Sequence, residues 1–137
     1  MIYRADVQIT APVHDTEVTD RVADAIRNVF PDAEPEYRHG ELVAKSHTFE
    51  ELSEQLHRRA ILDTAREQFF GSLRGNTFSF DLKKQAAFEG VVTFAVGNPD
   101  ELGELHVRVR VEEPTPEELI DHVAPPTEDG KPIDPSE

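Results

Sequence analysis

The sequence predicts an α+β domain, a mainly antiparallel β-sheet with helices packed on one face. Three observations carry this expectation. Several runs alternate apolar and polar residues with period two, so their strands have one buried and one wet face. Other runs repeat apolar residues every three or four positions, as a helix does when one stripe meets a sheet. The two kinds of run interleave along 137 residues, enough for one domain with a core and too few for two ordinary ones.

The first strand is the clearest. Tyr3, Ala5, Val7, Ile9 and Ala11 share one face, Arg4, Asp6, Gln8 and Thr10 the other, and Pro12 ends the run. Asp15 or Thr16 is placed to cap the following helix, in which Val18, Val22, Ile26, Val29 and Phe30 form one apolar stripe before Pro31 stops it. Pro35 and Gly40 then punctuate short mixed runs, with Leu42 to Ala44 as a short strand or hairpin arm.

Thr48 and Glu51 read as a capping box, so a second helix should start at Phe49 and bury Phe49, Leu52 and Leu56. Ile61, Leu62, Ala65 and Phe69 resume helical spacing out of phase with Leu52 and Leu56, which predicts a kink or break near Arg58 and Arg59. Gly71, Gly75 and Asn76 mark the exit. Phe78, Phe80 and Leu82 alternate with Ser79, Asp81 and Lys83 as a strand, with Lys84 and Gln85 at its far end.

Val91 to Val96 is apolar on both parities and reads as a central strand, followed by a turn at Gly97, Asn98, Pro99 and Asp100. In the next strand Leu105, Val107, Val109 and Val111 face the core, and His106, Arg108 and Arg110 face outward. Thr115, Pro116 and Glu118 announce a short helix to about His122. The domain is read as residues 1–123. From Ala124 to Glu137 the chain is acidic and proline-rich with only Ile133 to bury, a tail expected to be mobile or loosely attached.

Composition narrows the function classes. The absence of cysteine excludes disulfides and thiolate metal sites. No leader-like segment and no apolar run of membrane-spanning length is present, so the expectation is a soluble cytoplasmic protein with no membrane partner. The charge is −14, from 28 acidic and 14 basic residues, and only Lys45, Lys83, Lys84 and Lys131 are lysines. An acid-rich, lysine-poor surface fits a protein that must stay hydrated in concentrated salt, and a halophilic source is inferred.

Against that background the stretch from Ala60 to Gly90 is locally basic. Between His57 and Gln85, six cations oppose three carboxylates, a local +3 that leaves −17 on the remainder. Arginine forks bond phosphate twice, so Arg58, Arg59, Arg66, Lys83 and Lys84, with Gln85 as a neutral donor, form the candidate RNA-binding set. The competing reading is that these arginines pair with the abundant carboxylates. A secondary candidate surface is the polar sheet face, where Arg4, His106, Arg108 and Arg110 gather if the first and last strands are neighbours. Concentrated salt weakens purely electrostatic binding, and Tyr37 is the candidate base-stacker.

Catalytic and metal chemistry find little support. His14, His39, His47, His57, His106 and His122 are scattered without metal-ligand spacing, and no phosphate loop or nucleophile elbow is present. No metal, no cofactor and no enzymatic activity are expected. An enzyme would need a cleft uniting Asp63, Arg66, Lys84 and a histidine.

The segments AILDTAR (Ala60 to Arg66), FDLKKQAAFEG (Phe80 to Gly90), PTPEELIDHVAPPT (Pro114 to Thr127) and NVFPDAE (Asn28 to Glu34) resemble the uncharacterised protein family 0201 of archaea, over nearly the whole chain. Thr64 and Lys83 depart mildly from its pattern, where alanine and asparagine are common. The resemblance implies a fold similar to large-subunit ribosomal protein five and a role in RNA or ribonucleoprotein binding, and it carries over no catalytic residue. Fold likeness is an analogy for function, not evidence of it. The rival expectation is a protein-interaction or structural module acting as a homodimer through an exposed sheet face or edge.

Overall fold

The computed structural model describes residues 2–96, 103–128 and 131–132. Among them, β1 (Arg4–Pro12), β2 (Glu36–Arg38), β3 (Glu41–Ser46), β4 (Thr77–Lys83) and β5 (Glu104–Glu113) make one antiparallel sheet in the order β2-β3-β1-β5-β4. Every second residue of β1, β3, β4 and β5 is buried: Ala5, Val7, Ile9 and Ala11 meet Leu42 and Ala44 on one side and Val107, Val109 and Val111 on the other. The α+β class and the one-sided sheet expected from the period-two runs are what the chain adopts.

Helices α1 (Thr19–Val29), α2 (Glu50–Arg58), α3 (Leu62–Ser72), α4 (Lys84–Phe88) and α5 (Pro116–Val123) complete the domain. Val22, Ile26, Val29 and Phe30 of the α1 stripe are buried, but Val18 is 59% exposed, because it is the N-cap and its extended backbone leaves the helical phase. Neither Asp15 nor Thr16 caps α1. Glu17 turns back instead and accepts the His14 backbone N–H at 3.0 Å.

The capping box expected at Thr48 is also absent, since α2 begins without a side-chain cap. Thr48 donates its hydroxyl to Asp32, and Glu51 accepts from Gln55. Asp32 also accepts from the Ser46 hydroxyl and the His47 backbone N–H. Partial burial works against ionisation of this carboxyl, but the hydrogen bonds outweigh it and hold its pKa below the usual value. Thr48 therefore serves the β3–α2 connection and not the helix end.

The break expected near Arg58 and Arg59 is a helix end. Ala60 takes a left-handed φ of 55°, and the Ala60 and Ile61 N–H groups bond back to His57 and Leu56 carbonyls, a Schellman closure made without glycine. His39 and Gly40, at φ of 48° and 86°, form the two-residue turn that joins β2 to β3 with the twist a hairpin favours. Thr115 does cap α5, accepting the Glu118 N–H at 3.1 Å, with Pro116 next in line.

One strand expectation is corrected. Val91 to Val96 is not a central strand, because β5 occupies that place beside β4. Residues 93–95 instead run along the outer edge of β4 through Lys83 N–H to Thr93 carbonyl (2.8 Å) and Ala95 N–H to Asp81 carbonyl (2.9 Å). Their apolarity is spent on the core, where Val92 and Phe94 are buried. The turn expected at Gly97 to Asp100 lies outside the described residues.

The start of the C-terminal segment is docked. Ala124 and Pro125 are buried, the Ala124 carbonyl accepts from Arg66, and Thr127 bonds Asp63. β6 (Thr127–Glu128) and β7 (Lys131–Pro132) then pair as a minimal ribbon. Ile133 lies outside the described residues.

Candidate nucleic-acid interface

The basic segment does not gather into one surface. Lys84 has no solvent exposure: its ammonium donates to the Pro12 carbonyl at 2.7 Å and to Glu17 Oε1 at 2.8 Å. It is in phase with Phe78, Phe80 and Leu82, so the inward parity of β4 carries it beneath the surface. Arg66 donates to Asp121 at 2.7 Å and to the Ala124 carbonyl at 2.9 Å, and its guanidinium lies 5.1 Å from the Phe70 ring centre. These are the contacts that dock the C-terminal segment.

Arg59 clasps the edge segment through the Val92 carbonyl and Thr93 Oγ1, while Gln55 accepts the Val92 N–H. Arg58 is exposed and pairs with Glu54 one helical turn earlier at 3.1 Å. Lys83 stays on the outer parity of β4 opposite Glu104, and Gln85 is exposed on α4. The expectation of one RNA-binding set from these six residues is thus corrected for Lys84, Arg66 and Arg59, which are engaged in holding the fold.

The secondary set does converge. β1 and β5 are neighbours, and their outward residues stand in register as Asp6 with Arg110, Gln8 with Arg108, and Thr10 with His106. β3 adds Lys45 opposite Gln8 on the other side of β1. The result is a cross-strand row, Lys45, Gln8, Arg108 and Ser79, on the face that carries no helix. Among the described residues neither Lys45 nor Arg108 has an ion-pair partner within 4 Å.

The surrounding charges are partly matched. Arg110 reaches Glu112 at 3.4 Å, Arg4 reaches Glu112 at 2.9 Å, and His106 Nδ1 lies 2.6 Å from Asp81. A shallow depression of about 340 Å³ is lined by Asp6, Gln8, Lys45, His47, Arg108 and Arg110. Here three cations and a histidine face one carboxylate, a local positive surface on a strongly negative protein. Their chemistry suits phosphate oxygens, with Gln8 able both to donate and to accept.

Sequence reasoning missed Lys45 and His47. The outward phase of Lys45 was legible, since Leu42, Ala44 and Ser46 alternate inward, but its place beside Gln8 follows only from strand order. Tyr37 is 59% exposed but pairs with Leu42, on the parity of the buried face, so it is no stacking platform for this row. Among the described residues no three His, Asp or Glu side chains converge as a metal-binding group, and no helix is long and apolar enough to cross a membrane.

Comparison with known proteins gives the site its context. A family model described as RNA binding matches residues 6–112, from β1 through β5. A UPF0201 protein of Thermococcus kodakarensis is 35% identical over 136 residues, covering 94% of this chain and 96% of the relative. A UPF0200/UPF0201 protein of Archaeoglobus fulgidus is 33% identical over 129 residues, and there the match spans 93% of this chain but only 40% of the longer relative. The crystal structure of a UPF0201 protein from Methanococcus jannaschii superposes with a TM-score of 0.88 at 33% identity, covering 94% of this chain and 99% of that one. By sequence, by family model and by fold, this chain belongs to the UPF0201 family, whose relatives here are archaeal.

Proposed function

We propose that the protein binds RNA, alone or within a ribonucleoprotein, on the open face of its sheet, through Lys45, Gln8, Arg108 and Arg110 with Arg4, His47 and His106 around them. The observation that carries this reading is the pair of cations Lys45 and Arg108, without an ion-pair partner among the described residues and held in register on either side of Gln8. The family model described as RNA binding spans this row. A fold like that of ribosomal protein five is part of the same proposal, as an analogy of fold.

The reading is of a cytoplasmic binding protein and not an enzyme. Asp63, Arg66 and Lys84, the residues a catalytic cleft would have to unite, are tied to Thr127, Asp121 and Glu17 respectively. A homodimer through the sheet edge ranks second. The free edge is β2, three exposed residues with charge on two of them, and short charged edges resist strand addition.

The test is binding of labelled RNA duplex, hairpin and single strand in molar potassium chloride. A Lys45→Ala, Arg108→Ala, Arg110→Ala variant should lose affinity on the order of a hundredfold, and the slope of log affinity against log salt should shrink by about two to three. Arg58→Ala should bind like the parent. Equal binding by parent and triple variant would place RNA elsewhere or nowhere.

We also read the acidic surface as an adaptation to concentrated salt, on the charge of −14 and the four lysines against ten arginines. Self-repulsion of that surface should lower the melting midpoint in dilute buffer relative to molar potassium chloride. Equal midpoints would remove this part of the proposal.

A further inference from the structure

We propose that the RNA taken by the open sheet face is a duplex, held across its minor groove by sugar and phosphate without regard to base sequence. The inference rests on the sheet-face reading above and goes on to name the form of the ligand. Its first observation is where the rings lie. The chain has two tyrosines, eight phenylalanines and no tryptophan, and every one of these rings falls among the described residues. Six phenylalanines are buried, and Phe88 packs against the same core. Phe70 stands on α3 beneath the Arg66 guanidinium, Tyr3 lies 5.6 Å from the Phe49 ring on the helix side, and Tyr37 has the parity of the buried face. The open face therefore carries no tyrosine or phenylalanine.

Sheet faces that take single strands do so by stacking splayed bases on such rings. Only His47 and His106 offer a ring here. His106 Nδ1 is 2.6 Å from Asp81 and His47 Nδ1 is 3.2 Å from the Ala5 carbonyl, and the two histidines flank β1 on opposite sides, at the levels of Thr10 and Asp6. Four residues of strand set those levels about 13 Å apart, several times the spacing of stacked bases. They form no continuous platform. A ligand whose bases are already stacked on and paired with one another needs none.

What the face does offer is a row of groups suited to a backbone. Lys45, Gln8, Arg108 and Ser79 stand in register on β3, β1, β5 and β4. Two strand spacings put the Cα atoms of Lys45 and Arg108 about 10 Å apart, and both side chains are long enough to widen that span. Each cation can take a phosphate on its own side of a groove, Arg108 as a fork and Lys45 as a point charge. Gln8 between them and Ser79 beyond can donate and accept, as a ribose 2′-hydroxyl does. Among the described residues no helix stands on this face to enter a deep groove. The A-form minor groove is wide, shallow and lined by 2′-hydroxyls, so a flat face can meet it. B-form DNA has a narrow minor groove and no 2′-hydroxyl.

The test compares three probes on the full chain, at a salt concentration where all can be measured: a blunt RNA duplex of about two helical turns, a polyuridine strand of the same length, and a DNA duplex of the same sequence. The RNA duplex should bind at least about tenfold tighter than either, and RNA duplexes of unrelated sequence should agree within about threefold. Gln8→Ala, a change at an exposed position, should weaken the RNA duplex about fivefold and leave DNA binding unchanged, whereas Lys45→Ala should weaken both. Binding of the single strand as tight as the duplex, and lost in the Lys45, Arg108, Arg110 triple variant, would overturn the duplex inference and leave the RNA reading standing. Equal binding of the DNA duplex, or an affinity that follows base sequence, would also overturn it. No binding of any RNA, or binding untouched by the triple variant, would remove both.

Discussion

Lys84→Met will destabilise the protein by about 3–5 kcal/mol, the range for breaking a buried ion pair from one side. Lys84 and the Glu17 side chain are both withdrawn from water, and the ammonium also satisfies the Pro12 carbonyl at the end of β1. Removing the cation leaves one buried carboxylate, already short of one donor, with no countercharge. The melting midpoint should fall on the order of 10 °C. A Glu17→Gln, Lys84→Met double variant should recover part of the loss, because the stranded charge is then gone, and the double-mutant cycle measures the coupling. A single variant within about 1 kcal/mol of the parent would show that the pair does not hold α1 to α4.

Phe69→Ala carries the second large effect, about 3–5 kcal/mol, as for other buried aromatic truncations. Phe69 is 1% exposed and is the hub of a ring cluster, with centroids 5.1 Å from Phe78, 4.8 Å from Phe80 and 6.0 Å from Phe94. It joins three parts of the chain, α3, β4 and the edge segment after α4. The cavity left by the ring cannot be filled by neighbours fixed on a sheet, so the transfer and cavity terms add. Urea unfolding should show a lower midpoint at unchanged slope. Amide exchange should quicken first at Ala95, which follows Phe94 in the chain and holds the edge segment to β4 through its hydrogen bond to the Asp81 carbonyl. A loss below about 1 kcal/mol would mean that the cluster repacks without Phe69.

Most of the scaffold was legible because alternation and helical phase are local properties of the chain. Ala5, Val7, Ile9 and Ala11 announced the buried face of β1, Phe78, Phe80 and Leu82 that of β4, and the phase slip after Leu56 announced the break at Ala60. Helix starts were less legible. Asp15, Thr16 and Thr48 have side chains fit for capping, yet competing partners, Asp32 above all, decided where the Thr48 hydroxyl went. The strand expected at Val91 to Val96 failed for a similar reason: its apolar residues are needed by the core, but the place beside β4 had been taken by β5.

By itself the sequence determined the α+β class, the inward and outward face of each main strand, and the strongly acidic surface, since each depends only on residue identity and spacing. Tertiary structure alone decided which cations are free. Lys84 finds Glu17 across 67 residues of sequence, Arg66 finds Asp121 across 55, and Arg59 reaches Val92 across 33, so half of the six cations in a segment that is basic on paper are engaged in tertiary contacts. Lys45 and Arg108 were brought to either side of Gln8 by the order β3-β1-β5. A charge is a property of one residue, but its partner is set by strand order and register, which follow from burying the apolar faces of the whole sheet together.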